Sequence, residues 1–235
     1  MEKTEKAGFG KNFLDGLFFK NPFFVLFFGL TLVMVSTNRL EGAFLVGILT
    51  AIEFLFVQLV ISILKKHLDR VGAYLTALLI SAGLSTLYGI LFGLGLPEAL
   101  TNLIFNEQKG AFLSVVIPFL CSTSFVLDQA DEPLTQSFKE TRGYSLGSAL
   151  GYLLDLLLIA LLREVFVTGA IVFHDLKGVE HGLILFDKNK FSLPILDKPF
   201  GGFLFAGLLM GGYRSIVDLV LIHKQKKARN IKEAE

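Results

Sequence analysis

Of the chain's 235 residues, 53% are hydrophobic and only 18% charged, and 22 Lys and Arg face 21 Asp and Glu. At a mean hydropathy of +0.63 there are too few polar side chains to cover a soluble domain of this size. A net charge of +1 names no partner. The single cysteine, Cys121, excludes an intrachain disulfide framework or a zinc site built on several thiolates.

The first twenty residues, 1–20, are polar on balance and lack a small-residue cleavage site, so this segment is expected to be retained and to lie in the cytoplasm. Crossing the hydrocarbon core takes about 20 apolar residues in a helix, and six stretches meet or approach that length. The first, Asn21–Thr37, is short and opens through Pro22. The second is Gly42–Leu64, closed by Lys65 and Lys66. The third is Val71–Leu96, ending in the glycine-rich GLFGLGLP. The fourth, Ala111–Leu127, is again short and contains Pro118. The fifth is Tyr144–Leu162, closed by Arg163 and Glu164, and the sixth is Phe200–Ile222, followed by a basic tail, residues 223–235.

Cytoplasmic termini place Lys3, Lys6, Lys11 and Lys20 inside, together with Lys65, Lys66, Arg70, Lys139, Arg142 and the cations of the tail. Fewer cations fall outside: Arg39, Lys109, Arg163 and those of the 165–199 loop. The excess of Lys and Arg inside fixes that orientation. The tail suits an anchor on anionic lipid, and no nucleic-acid partner is expected. The spans divide into residues 21–96 and 111–222. Each half opens with a short, proline-containing segment that carries small polar residues at mid-depth, Thr31 in one and Cys121 to Ser124 in the other. Three spans per half insert the halves in opposite orientations, and such repeats place midplane sites at their short or broken helices. The expected fold is therefore an all-α integral membrane protein of six transmembrane helices in two inverted three-helix repeats.

Four segments carry a resemblance. KNPFFVLFFGLTLVMVST, VQLVISILKKHLDRVGAY, VVIPFLCSTSFVL and SLGSALGYLLDLLLIALLREVF, in that order and spacing, are similar to the membrane subunits shared by the Rnf and sodium-pumping NADH:quinone oxidoreductase complexes, and most similar to the Rnf E-type subunit. The resemblance implies a bacterial inner-membrane protein that pairs with a sister subunit inside a larger complex moving Na+ or H+. It also implies a [2Fe-2S] cluster at the subunit interface, held by two midplane cysteines from each partner. This chain departs from that pattern. Thr31 and Ser124 stand where the resemblance implies cysteines, and Cys121 lies three residues before Ser124. A hydroxyl is a poor substitute for the soft thiolate that holds iron. No cluster is therefore expected in this chain; Cys121 is a weak candidate for a displaced metal ligand and fits better as a small buried residue.

Glu53, midway along the second span, and Asp155, midway along the fifth, fall where the resemblance implies apolar residues. A carboxylate at mid-bilayer is costly and faces a partner or a wet cavity, so both are candidates for an ion path, or for pairing with a neighbouring subunit or with Arg214. Arg214 and Asp218 are spaced for an i,i+4 pair. Arg163 and Glu164 are placed to reach the interface from a helix end, and Gln58 to bond across helices. Gly143, Gly147 and Gly151, like Gly207 and Gly211, have the spacing of close helix contact. His174, Asp175, Glu180 and His181 share a solvated loop without a metal-ligand spacing. Two functions follow: a non-catalytic, clusterless scaffold or ion-path subunit of an Rnf-like electron-transport translocase, or an ion-coupled transporter or channel component that has left redox chemistry.

Overall fold

The computed structural model describes residues 9–21, 23–24, 29–93, 130, 132–174, 180–186 and 193–232. In chain order they form α1 (Phe9–Leu14) running into a π-turn (Asp15–Phe19), α2 (Leu30–Ser36), α3 (Leu40–Leu64), α4 (Arg70–Gly93), α5 (Glu132–Thr135) and α6 (Phe138–Thr168). A hairpin of β1 (Ala170–His174) and β2 (Glu180–Ile184), a 3-10 turn (Pro194–Asp197) and α7 (Pro199–Lys232) follow. Four helices among the described residues are long and apolar enough to cross a bilayer: Leu40–Leu64, Arg70–Phe92, Phe138–Thr168 and Phe200–Leu219. The expected fourth stretch, Ala111–Leu127, lies outside the described residues.

The centre is the antiparallel pair α3 and α6. Glu164 Oε2 accepts from Leu40 N at 2.8 Å at one end, and Lys65 Nζ donates to Gln136 O at 2.8 Å at the other. A capping box starts α6: Ser137 Oγ accepts from Glu140 N, and Glu140 Oε2 accepts from Ser137 N. The helix ends at Gly169, whose φ of +72° suits glycine. Phe54, Val57 and Ile61 from α3 meet Tyr152, Leu156 and Ile159 from α6 in one apolar core.

The first segment differs most from expectation. Where a short or broken helix is expected within Asn21–Thr37, the chain is helical earlier, over Phe9–Phe19, non-helical at Lys20, Asn21, Phe23, Phe24 and Gly29, and helical from Leu30. An α conformation is disfavoured before proline, and Asn21 precedes Pro22. The Asn21 side chain closes the break by donating to Leu17 O (3.1 Å) and accepting from Phe23 N (2.8 Å) and Phe24 N (2.9 Å). Gly29 restarts the chain in the left-handed region at φ +76°.

The glycine ladder of α6 receives this segment. A Cβ on Gly143 would lie 2.9 Å from Phe9 O, one on Gly147 would strike Phe13 O, and one on Gly151 would lie 3.1 Å from Leu17 O. The small-residue contact expected at Gly143, Gly147 and Gly151 is thus present, and its partner is the segment read from sequence as a polar N-terminus. Gly207 and Gly211 behave otherwise: no atom of the described residues lies within 4 Å of a Cβ built there.

The connection expected as a loop over Val165–Pro199 is partly regular. The last turn of α6 extends into it, and the antiparallel hairpin pairs Ala170 with Ile184 and His174 with Glu180 in register. The described chain is therefore helical with one small two-stranded sheet. Asp175 lies outside the described residues.

Alanine at Gly147 or Gly29 is expected to destabilise the fold by about 1–3 kcal/mol, the usual effect of overpacking, and to lower the melting temperature in detergent. Alanine at Gly207 is the control and should leave the melt unchanged.

Candidate functional site

Two sets of buried polar groups lie within the helices, and they differ in how completely they are bonded. The outer set is built on Arg163 and Glu164 of α6. Among the described residues, Arg163 is the largest side chain to be fully buried. Its Nε donates to Leu196 O (3.2 Å), Nη1 to Thr37 Oγ1 (2.6 Å) and Met34 O (3.4 Å), and Nη2 to Lys198 O (3.0 Å) and Asp197 O (3.2 Å). All five guanidinium N–H donors are used. The acceptors are the carbonyls and hydroxyl at the end of α2 and the carbonyls of the 3-10 turn, where a cation complements the helix dipole. Glu164 does the converse. Its Oε2 takes the first amide of α3 at Leu40, and its Oε1 takes Val172 N of β1 at 2.9 Å. The two residues thus clamp the turn between α2 and α3 and fasten the hairpin and 3-10 turn to the bundle. Sequence placed this pair at the interface, with Arg163 among the outer cations; the structure buries both, because the chain folds back over them after Thr168.

The inner set is not bonded in this way. Glu53 stands at the centre of α3 with no exposed surface, and neither carboxylate oxygen has a hydrogen-bond partner. It faces α4, with Ser81 and Tyr88 as its electrostatic neighbours. Tyr88 Oη donates to Leu49 O at 3.4 Å, fixing the register of α4 against α3. Ser81 and Ser85, 0% and 4% exposed, carry hydroxyls that also lack a partner.

Asp155, 5% exposed, faces a different environment. It lies beside Asn21 at the break in the first segment, within electrostatic reach of Tyr152 and Tyr213, and its Oδ2 has no hydrogen bond. The same side chains hold the break in place. Tyr152 Oη donates to Gly29 O at 3.0 Å, while Tyr213 of α7 donates to Phe18 O at 2.5 Å and stacks on Phe24 with centroids 5.0 Å apart. Glu53 and Asp155 therefore sit on adjacent helices but are turned toward different neighbours, one to α4 and the other to the broken segment and α7.

Thr31 lies in the first turn of α2; Ser124 and Cys121 are outside the described residues. Arg214 and Asp218 form the anticipated i,i+4 pair at 3.5 Å on the exposed face of α7, so the Arg214 bridge runs to neither buried carboxylate. Gln58 is buried within α3. Asn21, Ser81, Ser85 and Tyr88 were not singled out in the sequence, although two signals were present: Asn-Pro as a helix break, and Ser81, Ser85 and Tyr88 at i, i+4 and i+7 on one face.

This is a polytopic helical membrane protein with an interrupted first segment and polar groups buried at mid-span. The chain belongs to the family described as Rnf-Nqr subunit, membrane protein, whose pattern matches residues 9–219. It is 26% identical over 227 residues to the E-type subunit of a proton-translocating ferredoxin:NAD(+) oxidoreductase complex from Clostridium ljungdahlii, covering 92% of this chain and 94% of that one. The same identity, over 207 residues, relates it to the E-type subunit of a Na(+)-translocating ferredoxin:NAD(+) oxidoreductase complex from Acetobacterium woodii (86% and 94%). A third relative, the E-type subunit of an ion-translocating oxidoreductase complex from Buchnera aphidicola, is 26% identical over 227 residues (90% and 85%).

Arg163→Met removes five hydrogen bonds, those to Leu196 O and Thr37 Oγ1 buried, and is expected to destabilise the chain by on the order of 3 kcal/mol. Arg163→Lys keeps the charge without the fork and should recover only part of that loss in a thermal melt. Glu164→Gln has one acceptor oxygen for two amides, so limited proteolysis should cut faster between Gly169 and Lys198; an unchanged rate would contradict the clamp.

Proposed function

We propose that this chain is the E-type membrane subunit of an Rnf-like ion-translocating ferredoxin:NAD oxidoreductase complex, seated in a bacterial inner membrane with both termini cytoplasmic. It would pair there with a sister subunit of the same family as well as with the other subunits. The observation that carries the reading is the family match across nearly the whole chain, joined to relatives of matching length that are all E-type subunits. Six spans in two inverted repeats belong to the same reading. Support comes from the interrupted first segment, since discontinuous helices mark the sites of inverted-repeat membrane proteins.

The donor set does not fit a [2Fe-2S] cluster held in the manner the family resemblance implies. Iron–sulfur clusters need thiolates, and this chain has one cysteine, with Thr31 and Ser124 at the corresponding midplane positions. In this reading the chain is a clusterless half that contributes scaffold and ion path, and no electron-transfer step is assigned to it. Glu53 and Asp155 are the ion-path residues. Their support is that each is buried at mid-span with carboxylate oxygen left unbonded, an arrangement that serves a passing cation better than it serves packing. The carboxylate and hydroxyl oxygens buried at Glu53, Ser81, Ser85 and Asp155 also favour a second reading, an ion-coupled transporter or channel component of the same family without redox chemistry.

Affinity purification of the tagged chain from its native membrane separates the two readings. Co-purification of membrane subunits with flavin and iron is expected; a stable assembly lacking both would favour the transporter. In vesicles containing the assembly, Glu53→Gln and Asp155→Asn should each lower ion uptake about tenfold, the effect of losing one charged contact. Unchanged uptake alongside impaired assembly would assign both residues to packing instead.

A further inference from the structure

The buried face of α4 is mostly small and polar. Its buried residues are Ala73, Ala77, Ser81, Ser85, Tyr88 and Phe92, whereas Val71, Leu75, Leu79, Leu87, Ile90 and Leu91 are exposed. The helix turns its small and polar stripe toward α3 and its large apolar residues outward, as suits a lipid-facing span. Glu53 of α3 sits against the middle of that stripe.

A serine or threonine hydroxyl inside a helix ordinarily bonds to the carbonyl four residues earlier. Thr76 and Thr86 of α4 do so, to Gly72 O and Ala82 O, and Thr50 of α3 does so to Val46 O. Ser81 and Ser85 do not. Both hydroxyls are buried and fall outside hydrogen-bond geometry, as do the two Glu53 oxygens; Ser81 is the polar side chain that interacts with the carboxylate, and Ser85 lies one turn along the same face. Polar oxygens short of full hydrogen bonding are costly in hydrocarbon, and Glu53, Ser81 and Ser85 share that cost.

We propose that Glu53, Ser81 and Ser85 form a sodium-binding site within the membrane, bounded by Tyr88. The proposal specifies the ion and the ligands of the Glu53 part of the ion path and rests on that reading. Every donor is oxygen, the set a hard cation takes. The single carboxylate carries one negative charge, so a monovalent cation leaves the site neutral, whereas a divalent one would leave net charge in low dielectric. A proton on Glu53 would also neutralise it, but it supplies one donor to one acceptor. A sodium ion takes lone pairs from carboxylate and hydroxyl oxygens alike.

Radioactive sodium binding to the detergent-purified full chain, with its co-purifying subunits where present, tests this. Saturable binding that is displaced by unlabelled sodium chloride and not by choline chloride is expected. Glu53→Gln should abolish it. Ser81→Ala and Ser85→Ala should each weaken it about tenfold, the loss of one hydroxyl contact to a charge, and Thr86→Ala should leave it intact. Sodium binding no stronger than choline allows, or unchanged in a monodisperse Glu53→Gln chain, would overturn the proposal. So would unchanged binding in the Ser81→Ala, Ser85→Ala double variant, which guards against misfolding of the Glu53 variant. A chain that binds sodium but purifies without flavin, iron or other subunits would count against the complex reading and leave this site standing.

Discussion

In hydrocarbon an unpaired backbone group has no water to bond, so a helix that stops partway must be completed by neighbouring side chains. The first segment of this chain imposes that demand, because one helical piece ends at Phe19 and Gly29, in the left-handed region, precedes the next at Leu30. Much of the bundle is organised to meet it. Asn21 closes the exposed end of the first piece, Tyr152 takes Gly29 O, Tyr213 takes Phe18 O, and Arg163 collects the end of α2. Glycine at 143, 147 and 151 brings α6 close enough to the first piece for backbone to touch backbone. Asn21, Tyr152, Tyr213 and the α6 glycines answer the break itself, while Arg163 fastens the far end of α2.

The bundle treats buried charge at its end and at its centre in opposite ways. Arg163 and Glu164 are saturated with hydrogen bonds to backbone from four separate elements, so the charges hold a fold together and have nothing left to offer a ligand. Removing either partner strands groups that cannot find water. Glu53 is as deeply buried but has no such set of bonds. If burial alone were its role, a leucine would pack against α4 at lower cost. The contrast within a single chain separates charge used as a fastening from charge kept available.

The four long helices were legible in the sequence because their apolar runs exceed what a bilayer needs, and the mid-span positions of Glu53 and Asp155 followed directly. The first segment was not. Residues 9–20 contain Phe9, Phe13, Leu14, Leu17, Phe18 and Phe19, but Lys11, Asp15 and Lys20 break the run, so hydropathy assigned the segment to water. Only the tertiary contact with the glycines of α6 explains why it is helical and packed. The burial of Arg163 was not legible for a related reason: hydropathy registers that a cation ends a span, not that the chain folds back to cover it. Which way Glu53 and Asp155 face depends on the rotation of α3 and α6 about their axes, which the apolar pattern of a helix hydrophobic on every side does not specify.

Relatives with the implied cysteines would carry soft sulfur at mid-depth, suited to holding iron. In this chain the described interior at that depth offers hydroxyl, carboxylate and amide oxygen: Ser81, Ser85 and Glu53 on one side, Asp155 with Asn21 on the other. Ligand softness selects the ion. On the proposed reading, hydroxyl-bearing residues at 31 and 124 together with the two carboxylates suit a hard cation rather than an iron–sulfur cluster. Neither feature needs a new fold, because the break, the glycine ladder and the Arg163–Glu164 clamp position the helices independently of which atoms line the middle.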